Sequence, residues 1–295
     1  MPSNTGLNVK GAKGFTLVEL ILVIIVLGIV SVGVAGFVRS AMFAYIDMTE
    51  RESLLREGSF FVERFTRELA DSVPNSVRIT GDANTHCLQF VPLNWNTYYL
   101  NIPKVGDTPA VVDLVEMHND LQGLTYVPDN NDVAIVFPLT PDHVYGVSNP
   151  ANADDVRVRS ILSCSDDDSD CATNADSDGV VQLTVNDGFF TDSPARRLYI
   201  ADSSVSYCVR GGAVYRHESA ISATQPLFTS GGSLMAQHLS NVLSPSPALV
   251  AGAQDPFRLL DSALRRNAYT QARFIFTRDD EQISFIKEVH IPNVP

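Results

Sequence analysis

Acidic side chains between residues 165 and 179 have the types and the spacing that a hard cation needs. SDDDSD at 165–170 is followed by NADSDG at 174–179, which matches the first six positions of an EF-hand loop. The twelfth position is Val185 instead of a bidentate glutamate, which argues against a true EF-hand. A solvated acidic insertion is the preferred interpretation, and a looser calcium loop is the alternative. The candidate calcium ligands are Asn174, Asp176 and Asp178.

The four cysteines predict two disulfides if the chain is exported, and buried thiols if it is cytosolic. No CxxC pair is present, and four cysteines allow three pairings. Cys164 and Cys171 enclose the acidic run and can close a small loop. Cys87 and Cys208 both lie in predicted strands and can join early sheet to late sheet. We prefer this pairing, with the other two left open.

The remaining polar residues do not form a catalytic pattern. The six histidines are scattered, with no metal-ligand spacing, and no nucleophile elbow or phosphate loop occurs. An enzyme is therefore disfavoured. The aromatic stretch NWNTYYL contributes Trp95, Tyr98 and Tyr99. Strand core is the preferred interpretation of these three, and a ligand face, for example for a glycan, is the alternative.

One acidic residue, Glu19, lies near the start of an otherwise apolar run at 15–38. The run is long enough to cross a bilayer, at about 36 Å of helix. Lysines before it and an acidic chain after it predict a cytoplasmic N-terminus and an exported remainder. An ordinary signal peptide or anchor is the alternative, but neither has a use for a carboxylate in hydrocarbon, which costs several kcal/mol without a partner.

The stretch KGFTLVE at 13–19 resembles the processing site of type IV prepilins. The resemblance implies a leader at 1–14, removal by a prepilin peptidase between Gly14 and Phe15, and methylation of the new N-terminal Phe15. Glu19 then becomes the fifth residue of the mature chain. It can neutralise an α-amino group of its own chain or of a neighbour, which sets the axial register of assembly. Residues 33–36 lack the proline that many major pilins carry there.

The rest of the chain predicts an α+β fold, with one long N-terminal helix and an antiparallel β-sheet head. The helix continues as an amphipathic segment at 39–74, with an apolar stripe that is widened by Leu55 and Val62. We expect Pro74 to end it near residue 72. The head at 75–295 shows short β-type runs, a hairpin at Gly211-Gly212, a second hairpin turning at 278–281, and a short helix at 233–243. The stripe consists of Leu54, Phe61, Phe65 and Leu69.

This architecture agrees with the type IV pilin-like fold that the resemblance implies. The head is large for that family, so we expect insertions within 101–132 and 140–195. A net charge of −13 argues against nucleic acid as a partner.

Further stretches resemble particular branches of the pilin family. Residues 56–79 resemble minor pilins and J-type pseudopilins of type II secretion, while CLQFVP, SYCVR and VHIPNVP resemble O-type minor pilins of the mannose-sensitive haemagglutinin pilus. This implies a non-enzymatic subunit of the bacterial inner membrane, with a periplasmic head, that primes or caps a pilus. The implied partners are other minor pilins, the major pilin, the prepilin peptidase, the assembly platform and membrane lipid.

Three alternatives to a priming or capping minor pilin remain. The first is a J-type pseudopilin, the second is a pilus-tip adhesin that binds surface glycan, and the third is an unprocessed membrane-anchored domain whose motif is coincidental. The first alternative can be tested in cells that lack the protein. Loss of surface pili would indicate a minor pilin, and loss of exoprotein secretion would indicate a pseudopilin.

Overall fold

The computed structural model describes residues 14–119, 124–147, 155–166, 169–171, 179–247, 252–260, 269–279 and 281–290. The chain divides into two compact units, with the boundary between Ser53 and Leu54. The helices are α1 Leu17–Ala70 and α2 Pro141–Tyr145. The strands are β1 Arg78–Gly81, β2 Thr85–Phe90, β3 Trp95–Asn101, β4 Val111–Val115, β5 His118–Asn119, β6 Leu124–Thr125, β7 Val133–Val136, β8 Val158–Asp166, β9 Ser169–Asp170, β10 Val180–Val185, β11 Arg197–Ala201, β12 Ser204–Arg210, β13 Ala213–Ser219, β14 Ser233–Ala236, β15 Phe257–Leu260, β16 Tyr269–Arg278 and β17 Glu281–His290.

The described part of the first unit consists of residues 14–16 and the early part of α1. Its side chains from Leu17 to Thr49 are all exposed, although most of them are apolar. A helix that is apolar all round does not have a polar face to turn to water. This is the one helix in the described chain that is long and apolar enough to cross a membrane.

The second unit begins where α1 becomes amphipathic. The predicted stripe residues are buried, and they form one hydrophobic core with strands from two antiparallel sheets. One sheet has the order β1-β2-β12-β13-β14, and the other has the order β15-β16-β17. Phe65 lies at the centre, with its ring centroid 5.2 Å from that of Tyr207 in the first sheet and 5.5 Å from that of Phe274 in the second. The predicted α+β architecture is therefore confirmed.

The head also contains a closed β-barrel, which the sequence did not predict. The strands β10-β4-β3-β11-β7-β8 follow one another, and β10 also pairs with β8, so six antiparallel strands close into a ring while β9 extends from β8. Alternate side chains fill its interior, as in other small barrels. They include Val112, Leu114, Val136, Ile161, Leu183 and Leu198, all at most 5% exposed. Closure leaves no free edge on the strands of the ring.

The barrel is an insertion between two neighbouring strands of the first sheet. Its strands β3 to β11 occupy residues 95–201, between β2 and β12 in sequence. Yet β2 and β12 pair directly, with Phe90 opposite Val205 and Cys87 opposite Cys208. The chain therefore leaves the sheet and returns to the adjacent position. The predicted insertion ranges 101–132 and 140–195 both fall within this segment.

Several local predictions need correction. The helix expected at 233–243 is wrong, because its first residues form β14, which pairs with β13. α1 ends at Ala70, two residues before the expected end, and Leu55 lies 40% exposed instead of joining the stripe. Both predicted hairpins are confirmed, with Arg210 opposite Ala213 across the two glycines, and Arg278 opposite Glu281.

Candidate processing and assembly site

The residues at the expected cleavage point precede the first helical residue. Gly14 and Phe15 have no regular secondary structure and are exposed, the Phe15 side chain by 79%. α1 begins two positions later, at Leu17. A peptide bond outside a helix is accessible to an enzyme without any unwinding. Residues 1–13 of the expected leader lie outside the described residues.

Thr16 caps the helix and shows why the next residues fold as they do. Its Oγ1 accepts a hydrogen bond from the backbone N–H of Glu19 at 3.4 Å, and its carbonyl accepts the bond from Leu20 N–H at 3.2 Å. Thr16 and Glu19 have the spacing of a capping box, and an acidic residue in the first turn complements the helix dipole. Thr16 is not among the predicted site residues, although its T-x-x-E spacing with Glu19 was a usable signal.

The Glu19 carboxylate has no hydrogen bond or ion pair to any other residue that the structure describes. Its backbone is fixed by the cap, while its side chain projects among exposed apolar neighbours such as Leu20 and Val23. The next charge along the chain is Arg39. The helix therefore presents one acceptor at its start, on an otherwise apolar surface of five turns or more.

A second carboxylate on α1, Glu68, is in the opposite situation. Its oxygens accept hydrogen bonds from Arg64 at 2.8 Å, Arg216 Nε at 2.9 Å and the Tyr207 hydroxyl at 2.9 Å. Burial acts to raise the pKa of Glu68, but these three donors outweigh it and lower the pKa below its usual value. The carboxylate thus stays charged and anchors the end of α1 to β12 and β13.

The structure joins Cys87 to Cys208 and Cys164 to Cys171. These are the pairs that the sequence analysis preferred. The first disulfide connects β2 and β12 at directly opposite positions, so it fastens the base of the barrel insertion. In a loop-entropy model, closing a loop of this length contributes about 5 kcal/mol, against about 2 kcal/mol for the seven-residue loop of the second.

The candidate calcium ligands Asn174, Asp176 and Asp178 lie outside the described residues, so calcium binding there stays a prediction. Within the described part of the chain, no group of three or more His, Cys, Asp or Glu residues is placed to hold a metal ion.

The aromatic stretch at 95–99 separates into two environments. Tyr99 is buried in the barrel, and its hydroxyl accepts a hydrogen bond from Ser193 N–H at 2.6 Å. Burial raises the pKa of Tyr99 to about 12. Tyr98 points outward and is 51% exposed, with the guanidinium of Arg197 5.5 Å from its ring centroid. The preferred interpretation, that these aromatic residues form strand core, therefore holds for Tyr99, whereas Tyr98 lies at the surface.

One buried cluster contains the residue types of a hydrolase triad but not its arrangement. The Ser244 hydroxyl donates to Asp255 at 2.6 Å, while the Nε2 of His86 contacts the Ser244 carbonyl at 2.7 Å. A nucleophilic serine needs its hydroxyl hydrogen-bonded to the histidine. Here the Ser244 hydroxyl donates to the carboxylate instead, so the cluster fastens Ser244 and Asp255 to β2.

Comparison with known families identifies the N-terminal segment. Residues 9–35 match the family model described as the prokaryotic N-terminal methylation motif. No curated protein and no solved structure matches the chain. The motif is the prepilin signal of type IV pilin-like proteins, which are typically structural. It supports processing by a prepilin peptidase and assembly with other pilins. Together with the apolar helix, it supports a membrane-anchored protein of the pilin or pseudopilin class.

Proposed function

We propose that this protein is a minor pilin of a type IV pilus like the mannose-sensitive haemagglutinin pilus, and that it primes or caps the fibre. The observation that carries the proposal is the methylation motif, which includes the capped start of α1, together with the exposure of every apolar side chain from Leu17 to Val38. Such a helix gains its stability from a bilayer and then from the helices of other subunits.

In this proposal the leader 1–14 is removed and Phe15 becomes the methylated N-terminus. Residues 15–38 form the transmembrane and assembly segment, 39–74 continue towards the head, and 75–295 form the periplasmic head. The N-terminus faces the cytoplasm before processing. Partners are the prepilin peptidase, the assembly platform, other minor pilins, the major pilin and inner-membrane lipid.

Glu19 acts as the registration group. Cleavage creates an ammonium group at Phe15, four positions before the carboxylate, or about 6 Å along a helix. A subunit in the membrane that is out of register leaves a carboxylate in hydrocarbon without a cation, at a cost of several kcal/mol. Correct docking pairs Glu19 with the α-amino group of a neighbour. The cap at Thr16 supports this role, because it fixes the backbone from which the carboxylate projects.

The head features support a pilus subunit over the J-type pseudopilin of type II secretion. Heads of the latter are generally shorter, and this head carries a barrel insertion and two disulfides. The adhesin alternative has one specific observation in its favour, the exposed Tyr98 beside Arg197 on the outer wall of the barrel. Aromatic rings with adjacent polar groups are a common way to bind sugars, since the ring face packs on apolar sugar C–H groups.

Deletion of the gene from the source bacterium tests the assignment. We expect surface pili to be lost and secretion of exoproteins to continue, and pili to return with the wild-type gene but not with Glu19→Ala. Loss of secretion with normal pili would favour the pseudopilin instead. Normal pilus number with lost surface attachment, reproduced by Tyr98→Ala, would favour the adhesin.

A further inference from the structure

A groove of about 520 Å³ lies between α1 and β17, within the second unit. Its helical wall extends from Ser59 to Ala70, which corresponds to about 16 Å of helix. The uncharged side chains of this wall are small or β-branched, among them Val62 and Thr66, and the opposite wall includes Phe285. The Phe285 ring packs against Gly58, where a Cβ would have no room, so β17 is held close to α1 at this point.

β17 forms the open edge of its sheet. The sheet order is β15-β16-β17, and β17 pairs along its full ten residues with β16. No other described strand pairs with it. The outer row of its backbone N–H and C=O groups is therefore a template for another strand. Among the described strands, the other free edges are shorter: β1, β14 and β15 have four residues each, and β5, β6 and β9 have two each, while the barrel ring is closed.

The charges around the groove favour an acidic occupant. Arg67 and Lys287 line it with one opposing carboxylate, Glu63. In the described part of the chain, neither cation makes an ion pair. The groove is thus locally cationic on a chain whose net charge is −13. Because like copies of an acidic chain repel one another, this arrangement attracts an acidic segment of a different protein.

We propose that the groove and the edge of β17 bind an extended, acidic segment of a partner protein, which adds a fourth strand to the sheet by β-augmentation. A strand of about five residues spans the 16 Å wall at 3.3 Å per residue. The backbone of this strand pairs with β17. The side chains of the row that faces the groove lie over Val62 and Thr66, and the carboxylates of this row meet Arg67 and Lys287. This surface belongs to the second unit and includes no residue of the cleavage site.

Peptide binding to the full-length protein in detergent tests the proposal. The probe is a capped, fluorescently labelled ten-residue peptide that alternates valine with glutamate. We compare it with the same peptide carrying lysine in place of glutamate, and with the glutamate peptide N-methylated at every second residue. We expect each altered peptide to bind at least ten-fold more weakly, and backbone amides of β17 to exchange more slowly with the glutamate peptide bound.

Two matched variants locate the site on the protein. Lys287→Glu should weaken binding of the glutamate peptide about ten-fold, whereas Lys104→Glu, which reverses an exposed lysine of the barrel segment, should leave it unchanged. Near-ultraviolet circular dichroism shows that each variant is folded. Equal affinity for all three peptides, or insensitivity to Lys287→Glu, would overturn the proposal. So would a dimer of the chain that competes with the peptide, because the occupant would then be a second copy.

Failure of this test leaves the proposed pilin function intact, since processing at Gly14 and assembly through Glu19 have separate readouts. Conversely, a chain that is not processed could still bind the peptide through β17.

Discussion

The two parts of α1 place their apolar residues in very different surroundings. Residues 17–49 are almost uniformly apolar and wholly exposed in the described chain, whereas residues 54–70 bury one stripe and turn charges outward. The later part finds its apolar partners within its own head. The early part has no buried side chain in the described chain, which fits the membrane-anchored pilin class that the methylation motif supports. Matched pairs of residues, one on each part, test this division.

Two phenylalanines give the largest expected contrast. Phe65 is fully buried between two sheets, and Phe65→Ala should lower the free energy of unfolding of the head by about 3–5 kcal/mol. Phe37 is 74% exposed, and Phe37→Ala should change the free energy of unfolding by less than about 0.5 kcal/mol. Thermal and denaturant unfolding in micelles measure both. Similar losses for the two variants would show that the early part of α1 is also packed within the chain.

Two glutamates give the next contrast. Glu68→Gln weakens a carboxylate that holds three donors, so the head should lose about 1–3 kcal/mol of unfolding free energy. Glu19→Gln should leave the unfolding free energy of the head unchanged and reduce incorporation into the fibre. Denaturant titration and immunoblotting of sheared pili read out the two effects. A head that is destabilised by Glu19→Gln would contradict the account.

The free energy of unfolding of the head at low pH should depend on the charge of Glu68. Its pKa is lowered in the fold from the ordinary value of 4.5, because donors outweigh burial. Its contribution is therefore fully present above about pH 5 and is lost as the pH falls through the lowered pKa. The difference in unfolding free energy between wild type and Glu68→Gln should shrink over that window. A difference that stays constant from pH 7 to pH 3 would show that the charge of Glu68 does not stabilise the head.

Two glycines give the smallest contrast. Gly58→Ala places a Cβ against the Phe285 ring, and overpacking should outweigh the gain in helix propensity, for a net loss of about 1 kcal/mol. Gly33 has open space where its Cβ would lie, so Gly33→Ala should leave the head unaffected and stiffen the helix. Unfolding curves of both variants, measured side by side, give the comparison. Equal effects would mean that the contact with Phe285 is not retained in solution.

Features that depend on local spacing could be predicted from the sequence, whereas most features that depend on pairing between distant segments could not. The stripe from Leu54 to Leu69 repeats with the helical period, so its burial could be read directly. Closure of the barrel depends on β10 meeting β8, which no local pattern encodes. The segment after Ser233 has a helix-like spacing, but pairing with β13 overrides it. The edge of β17 and the donors around Glu68 likewise appear only when distant segments are brought together.

The most direct test of the account is the N-terminal mass of the membrane-extracted protein, from cells with and without a prepilin peptidase. We predict a chain that begins at methylated Phe15 in the first case and an uncleaved chain in the second. A chain that keeps its first residues in both, or that is cut after the apolar run instead of before it, would contradict the central claim. Glu19 would then have no α-amino partner, and the exposed apolar part of α1 would be an ordinary anchor or signal.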